Sequence, residues 1–305
     1  MRVDINVIRE VIERNAAGAT GKLGVYFMDL STGAEVRYNA EDVFPSASVF
    51  KIFVLAELFR QIGSGRCALE DRYPLKSEDK AEGSGVLQLL EDGAELTLKD
   101  YATLMIILSD NTAADFLFKF TGRENIIRNV LEPLHLRATK CDLTCTDLLA
   151  ACYEIEPGTR LEESLAARCG RGFRNAPAYT GGLERNDETS PEDAAKVLEL
   201  LYRGQWISPE WDAQAVKILK QCQTNGRIPK FLPVGTAVAH KTGTMDRVAN
   251  DVGIVYSPKG DYILSLFYNG NTASEEEYRE NDHNFFSENL LAVISREIYD
   301  AYVGA

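Results

Sequence analysis

The chain has 305 residues, and its 46 acidic residues outnumber its 33 basic residues to give a formal net charge of -13. Binding to a nucleic-acid backbone requires clustered basic residues, so this excess of acid argues against a nucleic-acid partner. The hydrophobic content of 45% and the charged content of 26% are typical of a globular protein with a sizeable core. Because the net charge is negative, an anionic small substrate would need a local positive patch in order to bind.

The N-terminal segment, residues 1–13, carries charges at both ends and has no unbroken apolar stretch of the secretory type. No run of 18 apolar residues is present, so we expect no membrane span. The six cysteines form no compact disulfide framework, which favours a reducing compartment. We expect a cytoplasmic protein, or an exported one whose leader has been removed. Cys141 and Cys145 have no histidine in zinc-site register, so no metal or other cofactor is expected.

The apolar spacing predicts helices at both ends of the chain and through its middle, and strands near each end. The predicted helices span residues 2–15, 51–61, 98–108, 111–120, 191–202 and 210–221, with a closing helix marked by apolar positions from 286 to 298. The predicted strands span residues 23–30, 34–38, 238–244, 252–256 and 262–268.

This order predicts an α/β (α+β) fold in which one antiparallel five-stranded sheet is flanked by the N- and C-terminal helices. We assign residues 1–45 and 205–305 to this α/β lobe. Residues 46–204 are expected to form an all-helical lobe, with an atypical insert at about 141–185. Small-molecule sites tend to lie in the cleft between two such lobes.

Three short motifs occur along the chain in the order S-x-x-K at Ser48–Lys51, S-D-N at Ser109–Asn111 and K-T-G at Lys241–Gly243. Ser48 and Lys51 are three residues apart at a predicted helix start, so they share one face of that helix. A serine hydroxyl is a weak nucleophile until a base removes its proton. A lysine that is desolvated in a cleft can serve as that base, so we predict Ser48 as nucleophile and Lys51 as its partner.

The other two motifs supply the remaining groups that acyl transfer needs. Ser109 can relay a proton to a leaving nitrogen, and Asn111 can orient the lysine or hold a substrate amide. Lys241 offers positive charge to a substrate carboxylate, and we place Thr242 and Thr244 with it as substrate-binding residues.

A forming oxyanion also needs two hydrogen-bond donors. The backbone N–H groups of Ser48 and Thr244 are the predicted pair.

The sequence around these motifs resembles that of class A β-lactamases and of the broader β-lactamase-like, penicillin-binding-protein-type serine hydrolases. The resemblance is carried by residues 45–51, 105–114, 189–193 and 239–256, and it extends in order over about residues 20–300. It implies the same fold and an acyl-enzyme reaction.

The resemblance fails in the stretch 141–185. Class A enzymes carry E-x-x-L-N there, whose glutamate activates the deacylating water, and no such motif exists in this chain. Counting forward from the S-D-N motif puts that glutamate at or near Cys145, and counting backward from Pro191 puts it near Arg174. Neither is acidic. The alternative bases are four carboxylates that could equally be solvated surface groups: Asp147, Glu162, Glu163 and Glu184.

Two further points bear on the site. Class A enzymes place an arginine on the strand after K-T-G, whereas this chain has Asn250 and Asp251 there, so Arg247 is an alternative unless it is a turn residue pointing to solvent. His240 could belong to a serine–histidine–aspartate triad. Because it adjoins Lys241 on a strand, its side chain should point to the opposite face, which argues against that triad.

The sequence therefore predicts a β-lactamase-like serine hydrolase that opens β-lactams or cleaves a related amide or ester. The alternative is a penicillin-binding or D-Ala-D-Ala peptidase-like protein that becomes acylated and deacylates slowly. A third possibility is a scaffold that keeps the fold without activity. In the first two cases the expected partner is a small molecule, and the oligomeric state stays open.

Overall fold

A computed structural model of the chain describes residues 4–153, 177–180, 183–272 and 283–304. The strands are β1 (Lys22–Asp29), β2 (Glu35–Tyr38), β3 (Phe44–Pro45), β4 (Arg72–Pro74), β5 (Glu95–Thr97), β6 (Lys140–Cys141), β7 (Asp187–Thr189), β8 (Val238–Met245), β9 (Val248–Ser257) and β10 (Gly260–Asn269). The helices are α1 (Ile5–Ala17), α2 (Lys51–Gly63), α3 (Leu98–Ile107), α4 (Asn111–Thr121), α5 (Arg123–Ile126), α6 (Cys145–Tyr153), α7 (Pro177–Thr180), α8 (Pro191–Arg203), α9 (Pro209–Leu219) and α10 (His283–Gly304).

The main sheet has the order β2-β1-β10-β9-β8, and every neighbouring pair in it is antiparallel. This confirms the predicted five-stranded antiparallel sheet. β9 and β10 are buried along almost their whole length, because helices cover both faces of the sheet. β8, which carries the K-T-G motif, is an edge strand of this sheet and pairs with β9.

Side chains of β10 alternate between two hydrophobic cores, as the pleat of a strand requires. Leu264 and Leu266 join the core under α1 and α10, whereas Ile263 and Phe267 join the core shared with α2 and α8. α9 packs against α2, α3 and α8. The sheet and the helical part therefore share one continuous core, which holds α2 rigidly against the sheet.

The segment 46–204 is mainly but not entirely helical, which corrects the expectation of an all-helical lobe. Within this segment β6 and β7 pair with each other and β4 pairs with β5, and β3, which precedes the segment, adds a third strand beside β7. Each of these strands has only two or three residues. Such short strands cannot display the period-two pattern by which a strand is recognised in a sequence.

α8 begins where its sequence indicates. Ser190 accepts a hydrogen bond from the backbone N–H of Asp193, and Pro191 occupies the first turn, where its missing N–H costs nothing. Within the described ranges, no helix has both the length and the apolar character needed to cross a bilayer.

Candidate active site

The predicted nucleophile lies in a short 3-10 helix, Ala47–Phe50, that leads directly into α2. Ser48 is partly exposed, whereas Lys51 is completely buried. Ala47 has a φ of 45°, a left-handed conformation that is costly for a residue with a Cβ. The strained turn is held by Asn250, whose Nδ2 donates to the carbonyl of Pro45 at 2.8 Å and to that of Ser46 at 3.1 Å.

Lys51 reaches the S-D-N motif, which forms the loop between α3 and α4. Its Nζ lies 2.7 Å from the Ser109 carbonyl oxygen, 3.2 Å from Ser109 Oγ and 2.9 Å from Asn111 Oδ1. Two of these three oxygens can only accept hydrogen bonds, so the Ser109 hydroxyl is the one of the three through which Nζ can exchange a proton. Ser109 itself has a φ of 56°, and this turn brings both its carbonyl and its hydroxyl toward Lys51.

Lys241 approaches the same serine from the sheet. Its Nζ lies 3.1 Å from Ser109 Oγ and donates to the Thr242 carbonyl at 2.7 Å. Burial, and secondarily the charge of Lys51, lower the pKa of Lys241 to about 7. Because Ser109 Oγ lies between two amines, its own proton is free to point into the cleft, as a proton relay requires.

Gly243 allows β8 to lie directly against the nucleophile segment. A Cβ built at this position would stand 2.5 Å from the Ser46 carbonyl oxygen, so no other residue fits without a shift of the backbone. Thr244 follows at an exposed position. The two predicted oxyanion donors, the N–H groups of Ser48 and Thr244, thus belong to the two segments that Gly243 brings together.

Sequence reasoning missed Arg227, which lies in the loop before β8 and is 2% exposed. Its Nη1 donates to the carbonyls of Gly243 at 2.9 Å and Asn250 at 2.7 Å, and its Nη2 donates to Thr244 Oγ1 at 2.6 Å. Nη2 also lies 3.2 Å from Glu288 Oε1, so the guanidinium brings positive charge to the end of K-T-G that this carboxylate partly offsets. No sequence motif marks this arginine, because it approaches K-T-G across space from the loop before β8.

Arg247, the alternative chosen from sequence, is buried in the turn between β8 and β9 and does not point to solvent. Its φ of 58° places it in the left-handed region that tight hairpin turns use.

The segment 82–87, which contains Gly83 and Gly85, covers the S-D-N loop. Asn111 Nδ2 donates to the Glu82 carbonyl at 2.7 Å, and its backbone N–H donates to Ser84. Asp110 accepts hydrogen bonds from the backbone N–H groups of Val86 at 2.6 Å and Leu87 at 2.9 Å. These contacts hold the segment in place beside the cleft.

Cys145 occupies the place to which forward counting assigns the deacylating glutamate. It is the first residue of α6, and its N–H and that of Thr146 donate to the buried carboxylate of Asp115. Burial raises the pKa of the Cys145 thiol, while the nearby charge of Lys51 opposes that rise. The segment Cys145–Leu149 keeps the leucine of E-x-x-L-N at Leu148 but carries Cys and Leu in place of Glu and Asn.

The other candidate bases lie elsewhere. Asp147 accepts a hydrogen bond from Thr144 Oγ1 at 2.7 Å at the start of α6, and Glu184 is exposed on the surface. Glu162, Glu163 and the neighbourhood of Arg174 lie outside the described residues.

His240 does not turn toward Ser109, which Lys241 contacts. Its Nδ1 lies 2.9 Å from Asp251 Oδ1, and its Nε2 lies 3.2 Å from Asn225 Oδ1. In the part of the chain that the structure describes, no group of three or more metal-binding side chains is found, and Cys141 and Cys145 are free thiols.

An antiparallel sheet flanked by helices, with a serine–lysine pair, a second serine and a second lysine meeting beside its edge strand, defines a serine hydrolase of the acyl-enzyme class. Comparison with known proteins agrees with this class. The profile of the β-lactamase enzyme family matches residues 6–302. The chain therefore belongs to this family and is a β-lactamase-like hydrolase.

Individual relatives are distant in sequence but similar in structure. "Beta-lactamase 3" of Bacillus cereus is 26% identical over 251 residues, which cover 81% of this chain and 69% of that protein. The β-lactamase of Sphaerobacter thermophilus DSM 20745 superposes with a TM-score of 0.77 at 25% identity, covering 99% of both chains. PBP-A gives the same TM-score of 0.77 at 23% identity, covering 100% of this chain and 98% of its own, and it supports the fold alone.

Proposed function

We propose that this hydrolase attacks a β-lactam, or a related amide or ester, through an acyl-enzyme formed on Ser48. The observation that carries the proposal is the convergence of Lys51 and Lys241 on Ser109 Oγ, at 3.2 Å and 3.1 Å, beside the nucleophile segment. A buried cluster of two amines around one hydroxyl is expensive to desolvate. Proton transfer between the attacking oxygen and a leaving nitrogen gives that cluster a use.

In the proposed acylation, Ser48 Oγ bonds to the carbonyl carbon as its proton passes to Lys51, which accepts it as the neutral amine. The electron pair of the carbonyl moves onto the oxygen, where the N–H groups of Ser48 and Thr244 stabilise the charge. The bond from carbon to nitrogen then breaks as Ser109 delivers its hydroxyl proton to the leaving nitrogen, and Lys51, 3.2 Å from Ser109 Oγ, passes the proton taken from Ser48 on to that oxygen.

The site favours a substrate with a carboxylate on its leaving side. Lys241, Arg227 and the exposed Thr244 lie at the same end of β8, and Arg227 donates to Thr244 Oγ1 at 2.6 Å. Two buried cations beside an exposed hydroxyl form a local positive patch in a protein whose net charge is -13, and Glu288, 3.2 Å from Arg227, offsets part of that charge. Such a patch is what binding of an anionic substrate requires here.

Cys145 favours a second candidate, in which the acyl-enzyme forms but is hydrolysed slowly. A neutral buried thiol cannot take a proton from water, so the position beside Lys51 offers no carboxylate base. Leu149 adds an apolar side chain close to Gly83, which itself lies against Asn111. This candidate is a penicillin-binding or D-Ala-D-Ala peptidase-like protein.

The test is a time course of intact mass after the addition of benzylpenicillin. We expect the wild type to gain the mass of one penicillin and Ser48→Ala to gain none. An adduct that decays within the mixing time, together with turnover of nitrocefin, supports hydrolysis. An adduct that persists supports the second candidate.

Cys145→Glu extends the same experiment, with Cys145→Ser as the matched control that removes the thiol without adding a carboxylate. If deacylation is limited by the missing base, the adduct decays faster in Cys145→Glu than in either other protein. Absence of any adduct on folded wild-type protein, with both benzylpenicillin and nitrocefin, would refute the acyl-enzyme proposal.

A further inference from the structure

Asn250 is a buried polar side chain of β9 that the chemistry above does not use. It is 0% exposed, and it pairs with Gly243 of β8. Residues that lie directly opposite each other in an antiparallel pair project from the same face of the sheet. Because Gly243 has no side chain, the amide of Asn250 can extend over it and reach the segment that precedes Ser48.

The amide group of Asn250 contacts two successive carbonyls in that segment. Its Nδ2 donates to the Pro45 carbonyl at 2.8 Å and to the Ser46 carbonyl at 3.1 Å. Ser46 has a φ of -72° and a ψ of -26°, which is a helical conformation, so both carbonyls can point toward one donor. An amide nitrogen carries two hydrogens, and each of them therefore has its own acceptor here.

The oxygen of the same amide has no such role. Asn250 Oδ1 is buried and has no hydrogen-bond partner in the part of the chain that the structure describes. A buried acceptor without a partner destabilises the fold, so the fold tolerates this amide for the sake of its two donors. The reversed orientation of the amide is excluded, because it would place Oδ1 against two carbonyl oxygens.

The segment that Asn250 holds is the first turn of the 3-10 helix that carries the nucleophile. The Ser46 carbonyl also accepts a hydrogen bond from the backbone N–H of Val49 at 3.0 Å, which closes this turn. That bond does not use the N–H of Ser48, whose direction is set by the peptide plane that Ser48 shares with Ala47. Since Ala47 has the strained φ of 45°, this plane needs support from outside the turn.

The other side of the oxyanion hole is tied to the same asparagine. Thr244, whose N–H is the second proposed donor, directly follows Gly243 on β8. Arg227 Nη1 donates to the carbonyl of Gly243 at 2.9 Å and to that of Asn250 at 2.7 Å, so it joins the two paired residues. Asn250 therefore connects the strand that carries the Thr244 N–H to the turn that carries the Ser48 N–H.

We propose that Asn250 is a positioning residue that sets the spacing of the oxyanion hole, because its two hydrogen bonds hold the N–H of Ser48 in place relative to that of Thr244. This inference rests on the proposed function, since an oxyanion forms only if Ser48 attacks a carbonyl. Asn250 acts through the turn and does not itself touch the substrate.

The test compares acylation by benzylpenicillin in wild type, Asn250→Ala and Asn250→Asp. The alanine removes both amide hydrogens. The aspartate keeps the shape of the side chain but supplies at most one donor, and none when it is ionised. If the asparagine only fills space, Asn250→Asp should therefore acylate like wild type and only Asn250→Ala should be slow.

We expect both variants to be slow. Removal of one oxyanion donor costs roughly 100- to 1000-fold in rate, so misplacement of that donor should lower the acylation rate constant by roughly 10- to 100-fold. The dissociation constant of the noncovalent complex, taken from the saturation of the rate with penicillin concentration, should change much less. The reason is that the oxyanion hole binds most strongly to the charge that develops in the transition state.

Asn39→Asp is the matched control. Asn39 Nδ2 also donates to a backbone carbonyl, that of Leu23 at 2.9 Å, but Asn39 follows β2 at the opposite edge of the sheet from β8. This change should leave the acylation rate constant at its wild-type value. A variant that is partly unfolded gives less adduct in the intact-mass spectrum, whereas a misplaced donor slows the formation of a full amount.

The outcomes separate this inference from the proposed function. If no adduct forms on wild type, the proposed function fails and the inference falls with it. If wild type is acylated and Asn250→Asp reacts at the wild-type rate, the inference is wrong and the proposed function stands. A weaker noncovalent complex with an unchanged acylation rate constant would also overturn the inference. If Asn250→Asp does not fold, the rate constant of Asn250→Ala decides by the same criterion.

Discussion

Gly243→Ala tests whether the contact between the edge strand and the nucleophile segment sets the geometry of acylation. The added Cβ would stand 2.5 Å from the Ser46 carbonyl, 3.1 Å from Val49 and 3.2 Å from Ala47. Since Cβ contacts below 3.0 Å essentially never occur, the two segments must separate by at least about 0.5 Å. Overpacking of this kind costs about 1–3 kcal/mol in the free energy of unfolding.

The same separation should also slow acylation in the protein that remains folded. A displacement of about 1 Å near reacting groups costs roughly 100-fold in rate, so about 0.5 Å corresponds to roughly tenfold. We expect acylation by benzylpenicillin, followed by intact mass, to slow by about that factor in protein that remains folded. Gly18→Ala is the control, because its Cβ would make an ordinary 3.7 Å contact at the end of α1. Wild-type acylation in Gly243→Ala would refute the reasoning.

Two further predictions concern stability. Asp110→Ala leaves the N–H groups of Ala113 and Val86 without their acceptor. Because the α4 cap is lost and a buried donor is left unpaired, the free energy of unfolding in urea should fall by about 2–4 kcal/mol. A loss below about 1 kcal/mol would contradict this. Lys241→Met should raise the free energy of unfolding most below pH 7. The lowered pKa of about 7 means that the folded state disfavours the ammonium, a penalty that disappears as the pH rises from about 7 to 10.5. A gain from Lys241→Met that grows with pH would show that the sign is wrong.

The main elements could be predicted because their patterns are long. The helix predicted at 51–61 is observed at Lys51–Gly63, and the strand predicted at 262–268 is observed at Gly260–Asn269. Both carry enough residues for a helical or strand period to show. The strands of two or three residues in the middle of the chain could not be recognised, because their pairing depends on tertiary contacts such as that of Phe44 with Thr189.

For the site, too, residues in local motifs could be predicted and residues placed by tertiary contacts could not. Lys51, Ser109, Asn111 and Lys241 were identified because each stands in a motif whose spacing reflects local chemistry, and the structure brings them together. Arg227 could not be identified, since it reaches the K-T-G strand across space and no local pattern marks it. The roles of these residues remain predictions for the experiments above.

Cys145 raises the question of which group could activate water if the acyl-enzyme is hydrolysed. Beside Lys51 the structure places a thiol whose pKa is raised by burial, so this thiol stays protonated and cannot act as a base. Asp115 is occupied by the backbone N–H groups of Cys145 and Thr146. Within the described residues, this leaves the amines of Lys51 and Lys241, which lie 3.2 Å and 3.1 Å from Ser109 Oγ, as groups that can accept a proton from water.

An amine accepts a proton only in its neutral form, and the pKa of about 7 makes Lys241 neutral in a growing fraction of molecules as the pH rises through that value. Decay of the wild-type adduct should therefore accelerate as the pH rises. In Cys145→Glu the new carboxylate stays ionised to a much lower pH, so decay should become faster and should persist into the acid range. The measurement is the loss of the penicillin mass over a series of pH values. Identical pH profiles in the two proteins would mean that position 145 does not face the water, and that the base lies elsewhere in the chain.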